Sequence, residues 1–296
     1  MIIVKLMGGL GNQLFQYATG RAVALRKQVS LKLDLSWFDA NSDATKRSFR
    51  LYHFNIDFSA ASASDIAEIT GINRNDLLQP MYRLQQRLRP YYRRSVFLER
   101  YFHYDPNIFR CEKTVHLIGY WQSFRYFEDI EGAIRNEFQI STDISPSTRS
   151  CLDEICGLNS ISVHARRGDY VSNASYRKIH SALPVAYYES AVQKIAQVVK
   201  DPSFFVFSDD IAWAKDNLNF GYPTRFVEHN NELNDHEDLL LMMSCKNHVI
   251  ANSTFSWWGA WLASNQNKVV VAPRTWFGTT ERNPKDLLPK DWMLVS

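Results

Sequence analysis

Between residues 159 and 273 short apolar runs and helix-like stretches follow one another in regular succession: SISVHA, PVAYYESAVQKIAQVV, SFFVFSDD, IAWAKDNL, TRFVEH, HEDLLLMMSC, HVIA, STFSWWGAWLA and KVVVA. The apolar runs are too short for helices and rich in β-branched and aromatic residues, as strands buried on both faces are. Strand and helix in strict alternation lead to a parallel sheet with helices packed on it. The second half of the chain is therefore expected to form a doubly wound α/β unit, which binds ligands at the carboxyl ends of its strands. The amino terminus starts the same way, with IIVKLM, the turn GGLGNQ, a helix in which Phe15, Ala18, Ala22 and Leu25 recur at helical spacing, and the alternating VSLKLDL. Residues 36–114 have no such rhythm beyond an apolar helix around Ala61–Ile69 and the basic MYRLQQRLRPYYRR. TVHLIGYWQS then reads as a strand and Phe124 to Phe138 as a helix. The polar TDISPSTRS, with Pro146, marks a boundary between domains at 1–147 and 148–296.

The 296 residues suffice for two such domains. A net charge of +3 is too mild to require nucleic acid and suits an anionic ligand. The four cysteines form neither a CxxC pair nor a metal-binding spacing, so reduced thiols and a cytoplasmic protein are expected. No stretch approaches the roughly 20 apolar residues of a membrane span.

Three strand ends carry chemistry. HARRGDYV sets Arg166 and Arg167 between His164 and Asp169. A guanidinium fork matches phosphate oxygens bidentately, and an ion pair with Asp169 is the simpler alternative for one of the two arginines. Alternation along an extended segment puts His164 and Arg166 on one side and Arg167 on the other. GGLGNQ resembles a phosphate-cradling turn, with Gly11 at the helix start and Asn12 and Gln13 as donors, but it matches neither the P-loop nor GxGxxG. NSTFSWWGAWLA places Asn252, Ser253, Thr254 and Ser256 at a strand-to-helix junction, where hydroxyls and a helix N-terminus can hold phosphate. Trp257, Trp258 and Trp261 crowd the same helix, as core or as a sugar-stacking surface. Of Asp209 and Asp210, at least one is expected to cap the next helix. Asp238 is either a solvated helix end or a carboxylate able to accept two donors from guanine. The chain has no Asp-x-Asp, so no metal is expected.

GGLGNQLFQYA, GYWQS, HARRGDYV, FSDD and ANSTFSWWGAWLA occur in the order and wording of bacterial α-1,2-fucosyltransferases, glycosyltransferase family 11, which the chain resembles over nearly its whole length. The resemblance implies an α/β fold of GT-B type, two Rossmann-like domains with the donor site in the cleft between them. It further implies an inverting, metal-independent transfer of L-fucose from GDP-fucose to the 2-hydroxyl of a terminal galactose. GDP-fucose would be a co-substrate, with no cofactor, and a galactose-terminated oligosaccharide or glycolipid the acceptor. Carried over residue by residue, Arg166 and His164 face the nucleotide, Arg167 pairs with Asp169, and Asp238 meets guanine. Ser253, Thr254 and Ser256, with Asn252, bind phosphate, and Gly11, Asn12 and Gln13 close over it. Gln122, Trp257 and Trp258 fall to the acceptor. Asp169 is the first candidate for the base that takes the acceptor proton, and His180 the second.

Two other readings stay open. Transfer to another hydroxyl or to a protein keeps the enzyme and changes the product. Arg83, Arg87, Arg89, Arg93 and Arg94, interleaved with Tyr82, Tyr91 and Tyr92, can instead form a surface for nucleic acid or for the inner face of a membrane, or a solvated helix face.

Overall fold

The computed structural model describes residues 1–40, 47–71, 79–168, 181–231, 233–278 and 284–296. Contacts divide the chain into two units, Met1–Gln139 with Lys285–Leu287, and Ile140–Pro284 with Leu288–Ser296. The division falls ahead of the boundary expected at residue 147. The reason is local: Ser145 caps the helix Pro146–Gly157 and hands its hydroxyl to Glu237 at 2.7 Å, which ties the polar segment to the second unit.

In the first unit β1 (Ile2–Lys5), β2 (Leu31–Asp34), β3 (Ser59–Ala60), β4 (Val96–Leu98) and β5 (Val115–Ile118) form a parallel sheet ordered β3-β2-β1-β5-β4. The helices are α1 (Leu10–Lys27), α2 (Ser36–Ala40), α3 (Ala63–Thr70), α4 (Gln79–Leu88) and α5 (Glu131–Glu137). Of the four residues expected to share the buried face of α1, Phe15, Ala18 and Ala22 are wholly buried, as are Leu14 and, in β1, Ile3 and Val4, whereas Leu25, in the last turn, is 39% exposed. The long helix expected from Phe124 to Phe138 is instead two 3-10 turns, Phe124–Tyr126 and Glu128–Ile130, leading into α5.

The second unit contains α6 (Pro146–Gly157), α7 (Val185–Ala196), α8 (Ile211–Asn217), α9 (Asp235–Ser244) and α10 (Thr254–Leu262). Its strands are β6 (Asn159–Ala165), β7 (Pro202–Ser208), β8 (Thr224–Phe226), β9 (Asn247–Val249), β10 (Val270–Pro273) and β11 (Met293–Val295). All pair in parallel in the order β11-β10-β9-β6-β7-β8. Chain order runs outward in one direction from β6 through β7 to β8, and in the other from β9 through β10 to β11. The reversal lies between β6 and β9, and at such a switch point the loops leaving neighbouring strands part to opposite faces and open a crevice. Among the described residues no helix is long and apolar enough to cross a membrane.

Candidate active site

The β6–β9 switch point brings together two of the three strand ends singled out in the sequence. His164 is the penultimate residue of β6, and its ring lies 5.7 Å from that of Phe255 in the first turn of α10. His164 is only 4% exposed, and its Nδ1 has no hydrogen-bond partner among the described residues. Burial pushes the imidazole down to about 4, the Arg166 charge adds to that, and Asp209 opposes it. The ring is therefore neutral near pH 7 and holds a nitrogen ready for a ligand.

The arginines take separate partners, both from the end of β7. Arg166 Nη1 lies 3.0 Å from Asp209, while the Arg167 guanidinium sits 3.8 Å over the Trp213 ring with Nε 3.6 Å from Asp210. Asp210 also caps α8 by accepting the Trp213 N–H, as expected of one of the pair. Asp209 accepts the Arg167 N–H at 2.8 Å and lies so close to Gly168 that a Cβ there would meet its oxygen at 2.5 Å. Arg167 thus has a carboxylate and an indole as partners at the end of β7; its expected partner Asp169 lies outside the described residues, as does His180. Asp209 and Trp213 were not foreseen as partners of the arginines. The signal was the register, since Ala165 pairs with Ser208 and puts the next residues of the two strands side by side.

At the start of α10 the candidates divide. Ser253 caps the helix by accepting the Phe255 N–H, and Thr254 follows it, partly exposed. Ser256 is buried with its hydroxyl donating to the Ser253 carbonyl. Both Asn252 amide hydrogens are committed, to the carbonyls of Ser181 and Trp276 at 3.0 and 3.2 Å, so its amide tethers loops and has none left for a phosphate. Trp257 and Trp258 are wholly buried, and Trp257 packs against Trp261 and Trp292. That burial removes both from an acceptor surface and makes them core.

Asp238 lies in the first turn of α9, which leaves the carboxyl end of β8 and so starts at the same edge of the sheet as the β6 and β9 loops. It is partly buried and accepts an amide hydrogen of Asn230 at 2.7 Å. Burial raises its carboxyl to about 7, with Asp235 and Glu237 adding to the effect and Asn230 working against it. It is no solvated helix end.

The glycine loop belongs to the first unit. Gly9 leads α1 with no side-chain cap, and Gly11 is buried in the first turn. Gln13 is wholly buried: its amide donates to the Gly8 and Ser48 carbonyls at 3.0 and 2.9 Å, and its oxygen accepts the Arg50 N–H at 2.9 Å. Every hydrogen on that amide is in use, so Gln13 builds the loop and cannot reach a ligand. Asn12, partly exposed, accepts from Gln122 at 2.9 Å, which joins GGLGNQ to GYWQS.

Two parallel α/β units of Rossmann type in one chain are the architecture of the GT-B fold. Over 99% of this chain and 75% of the other, the fold matches that of an Arabidopsis thaliana FUT1 mutant in complex with GDP, with TM-score 0.54 and 13% identity. The family model for Glycosyl transferase family 11 matches residues 1–296, and the chain belongs to that family. It is 34% identical to an alpha-1,2-colitosyltransferase of Escherichia coli, covering 100% of this chain and 99% of that one. To the O-antigen biosynthesis glycosyltransferase WbnK of Escherichia coli it is 36% identical, over 94% of this chain and 95% of the relative.

Proposed function

We propose that the chain transfers L-fucose from GDP-fucose to the 2-hydroxyl of a terminal galactose on an oligosaccharide or glycolipid, with inversion and without a metal. The observation that carries the reading is the meeting of His164, two residues before Arg166, with Phe255 in the first turn of α10 at the switch point. As the bond from sugar to nucleotide breaks, negative charge grows on the β-phosphate and positive character on the sugar. Arg166, the Ser253 and Thr254 hydroxyls and the positive dipole end of α10 are suited to that growing charge. The neutral His164 ring, whose Nδ1 has no partner among the described residues, offers a hydrogen bond to the same ligand. Asp238 would accept the two adjacent N–H groups of guanine, which adenine and uracil do not present. Asp169 is proposed as the base toward the acceptor hydroxyl, with His180 as second choice.

A second sugar deserves a place because the 34% identical relative is a colitosyltransferase. Colitose is L-fucose without its 3-hydroxyl. A site that hydrogen-bonds that hydroxyl would reject the deoxy sugar by about 10⁴-fold, whereas one that leaves it in water would accept both. The test is transfer by the purified chain from GDP-fucose and from GDP-colitose to β-galactosides in excess EDTA, followed by linkage analysis. The proposal expects a 1,2-linked fucoside and undiminished activity in chelator. Colitose transfer alone, a different linkage, or activity restored only by magnesium or manganese would each overturn the corresponding part.

A further inference from the structure

The helix α4 is attached to its unit by polar side chains and turns its apolar ones to water. Tyr82 Oη lies 2.8 Å from the Ile69 carbonyl and 2.6 Å from the Ser95 hydroxyl, and Gln86 accepts the Ser95 N–H at 2.8 Å. These two residues, one turn apart, mark the inward face. Met81, Leu84 and Leu88 share another face at i, i+3 and i+7 and are 69%, 59% and 78% exposed. A helix that stabilises its own domain has the opposite polarity.

Charge says what covers this face. At 100° per residue Arg87 falls about 60° and Arg83 about 100° from Leu84, both on one side of the apolar stripe, and both are exposed. Arg89, Arg93 and Arg94 follow, and no Asp or Glu occurs between residues 79 and 98. Arg94 donates to the carbonyls of Arg89 and Arg87 at 3.3 and 3.2 Å, which closes the end of the helix and holds the basic turn against it. A second copy of this chain would bring the same arginines face to face in a two-fold contact. Single-stranded nucleic acid needs aromatic faces to stack on, and the tyrosines here are engaged elsewhere: Tyr82 points inward, Tyr91 hydrogen-bonds Asp105 at 2.7 Å, and Tyr92 lies under Arg110. Exposed aliphatic side chains beside arginines suit a surface that is anionic outside and apolar just beneath.

We propose that α4 is a membrane-docking helix: it lies flat on an anionic lipid bilayer, with Met81, Leu84 and Leu88 below the headgroups and the arginines on lipid phosphates. The contact requires no nucleotide and is independent of the donor reading. The test is flotation of the purified chain with phosphatidylethanolamine vesicles, with and without phosphatidylglycerol. Binding should require phosphatidylglycerol and weaken with salt. The triple variant Met81→Ser, Leu84→Ser, Leu88→Ser should lose about tenfold or more in vesicle affinity. Arg83→Gln with Arg87→Gln should remove the preference for phosphatidylglycerol. Since all five side chains face water, thermal melting should be unchanged in both variants. Absence of vesicle binding would overturn the proposal. So would binding that survives the serine substitutions, which would reduce the contact to bare charge. Self-association abolished by the serine variant, or oligonucleotide binding, with no vesicle binding in either case, would assign the surface to a second copy or to nucleic acid instead.

Discussion

The chain has two strand ends that look alike on paper, Met7–Gln13 after β1 and His164–Gly168 at the end of β6, and they dispose of their polar groups in opposite ways. Around Gly8, whose φ of +78° only glycine adopts without strain, the loop closes on itself. Gln13 makes three hydrogen bonds to backbone, and the neighbouring Gln16 accepts the Met7 N–H and donates to the Gly119 carbonyl. At the β6 end the side chains are held by partners that a ligand can replace. Arg166 has an Asp209 carboxylate that is itself partly exposed, and the buried His164 Nδ1 has no hydrogen-bond partner among the described residues. A group locked by buried backbone partners shapes a site, and only one with an exchangeable partner or none can bind in it. The first loop is scaffold in its glutamines, and the second has the marks of a binding surface.

Arg166→Lys should break that comparison most visibly. Lysine keeps the charge and can still meet Asp209, but it lacks the fork that grips two phosphate oxygens. Turnover should fall about a hundredfold, equivalent to about 3 kcal/mol in the barrier, with the melting temperature nearly unchanged. Steady-state rates and thermal melts on one preparation decide it. A variant that melts early while its folded fraction keeps full turnover would make Arg166 scaffold like Gln13.

Gln13→Ala should behave in the reverse sense. It leaves buried backbone groups unpaired, so denaturant unfolding should show a loss of about 2 kcal/mol or more. Turnover of the folded fraction, measured well below the melt, should change little. A stable Gln13→Ala protein with a collapsed rate would show that the amide reaches the ligand after all.

The same distinction explains which parts were legible in the sequence. Strands buried on both faces advertise themselves, so the sheet from β6 to β10 could be read off its apolar runs, and His164, Arg166 and Ser253 fell at its strand ends. The strands within residues 36–114 gave little because they are too short to show a period, β3 having two residues and β4 three. The fate of Gln13 depends on Ser48 and Arg50, which lie far along the chain, and no local motif reports that. In the sequence, three tryptophans in one short helix are consistent with a core or with a sugar-stacking surface, and local spacing does not separate the two. Trp292, distant in sequence, completes the cluster that buries them. Asn252 was read as a phosphate donor from its neighbours, whereas its hydrogens are taken by loops on either side.

Asp238 sharpens the comparison at its finest grain, because Asn230 engages only its Oδ1 among the described residues and its charge depends on pH. With the folded carboxyl at about 7 against an ordinary 3.8, the folded state holds a proton that the unfolded chain has released between those values. Stability from this group is therefore fully present below about pH 4 and lost as pH rises toward 7, and Asp238→Asn should flatten that slope. Nucleotide binding should run the other way. Guanine N–H donors favour the carboxylate, so GDP affinity should rise with pH, by about tenfold between pH 6 and pH 8. The terminal phosphate of GDP titrates in the same range, and its share is found from Asp238→Asn, which binds more weakly but retains only that dependence. Calorimetry on both proteins at the two pH values gives the difference directly. Parallel pH profiles would mean that Asp238 does not touch the base, and that its raised carboxyl, like the Gln13 amide, belongs to the scaffold.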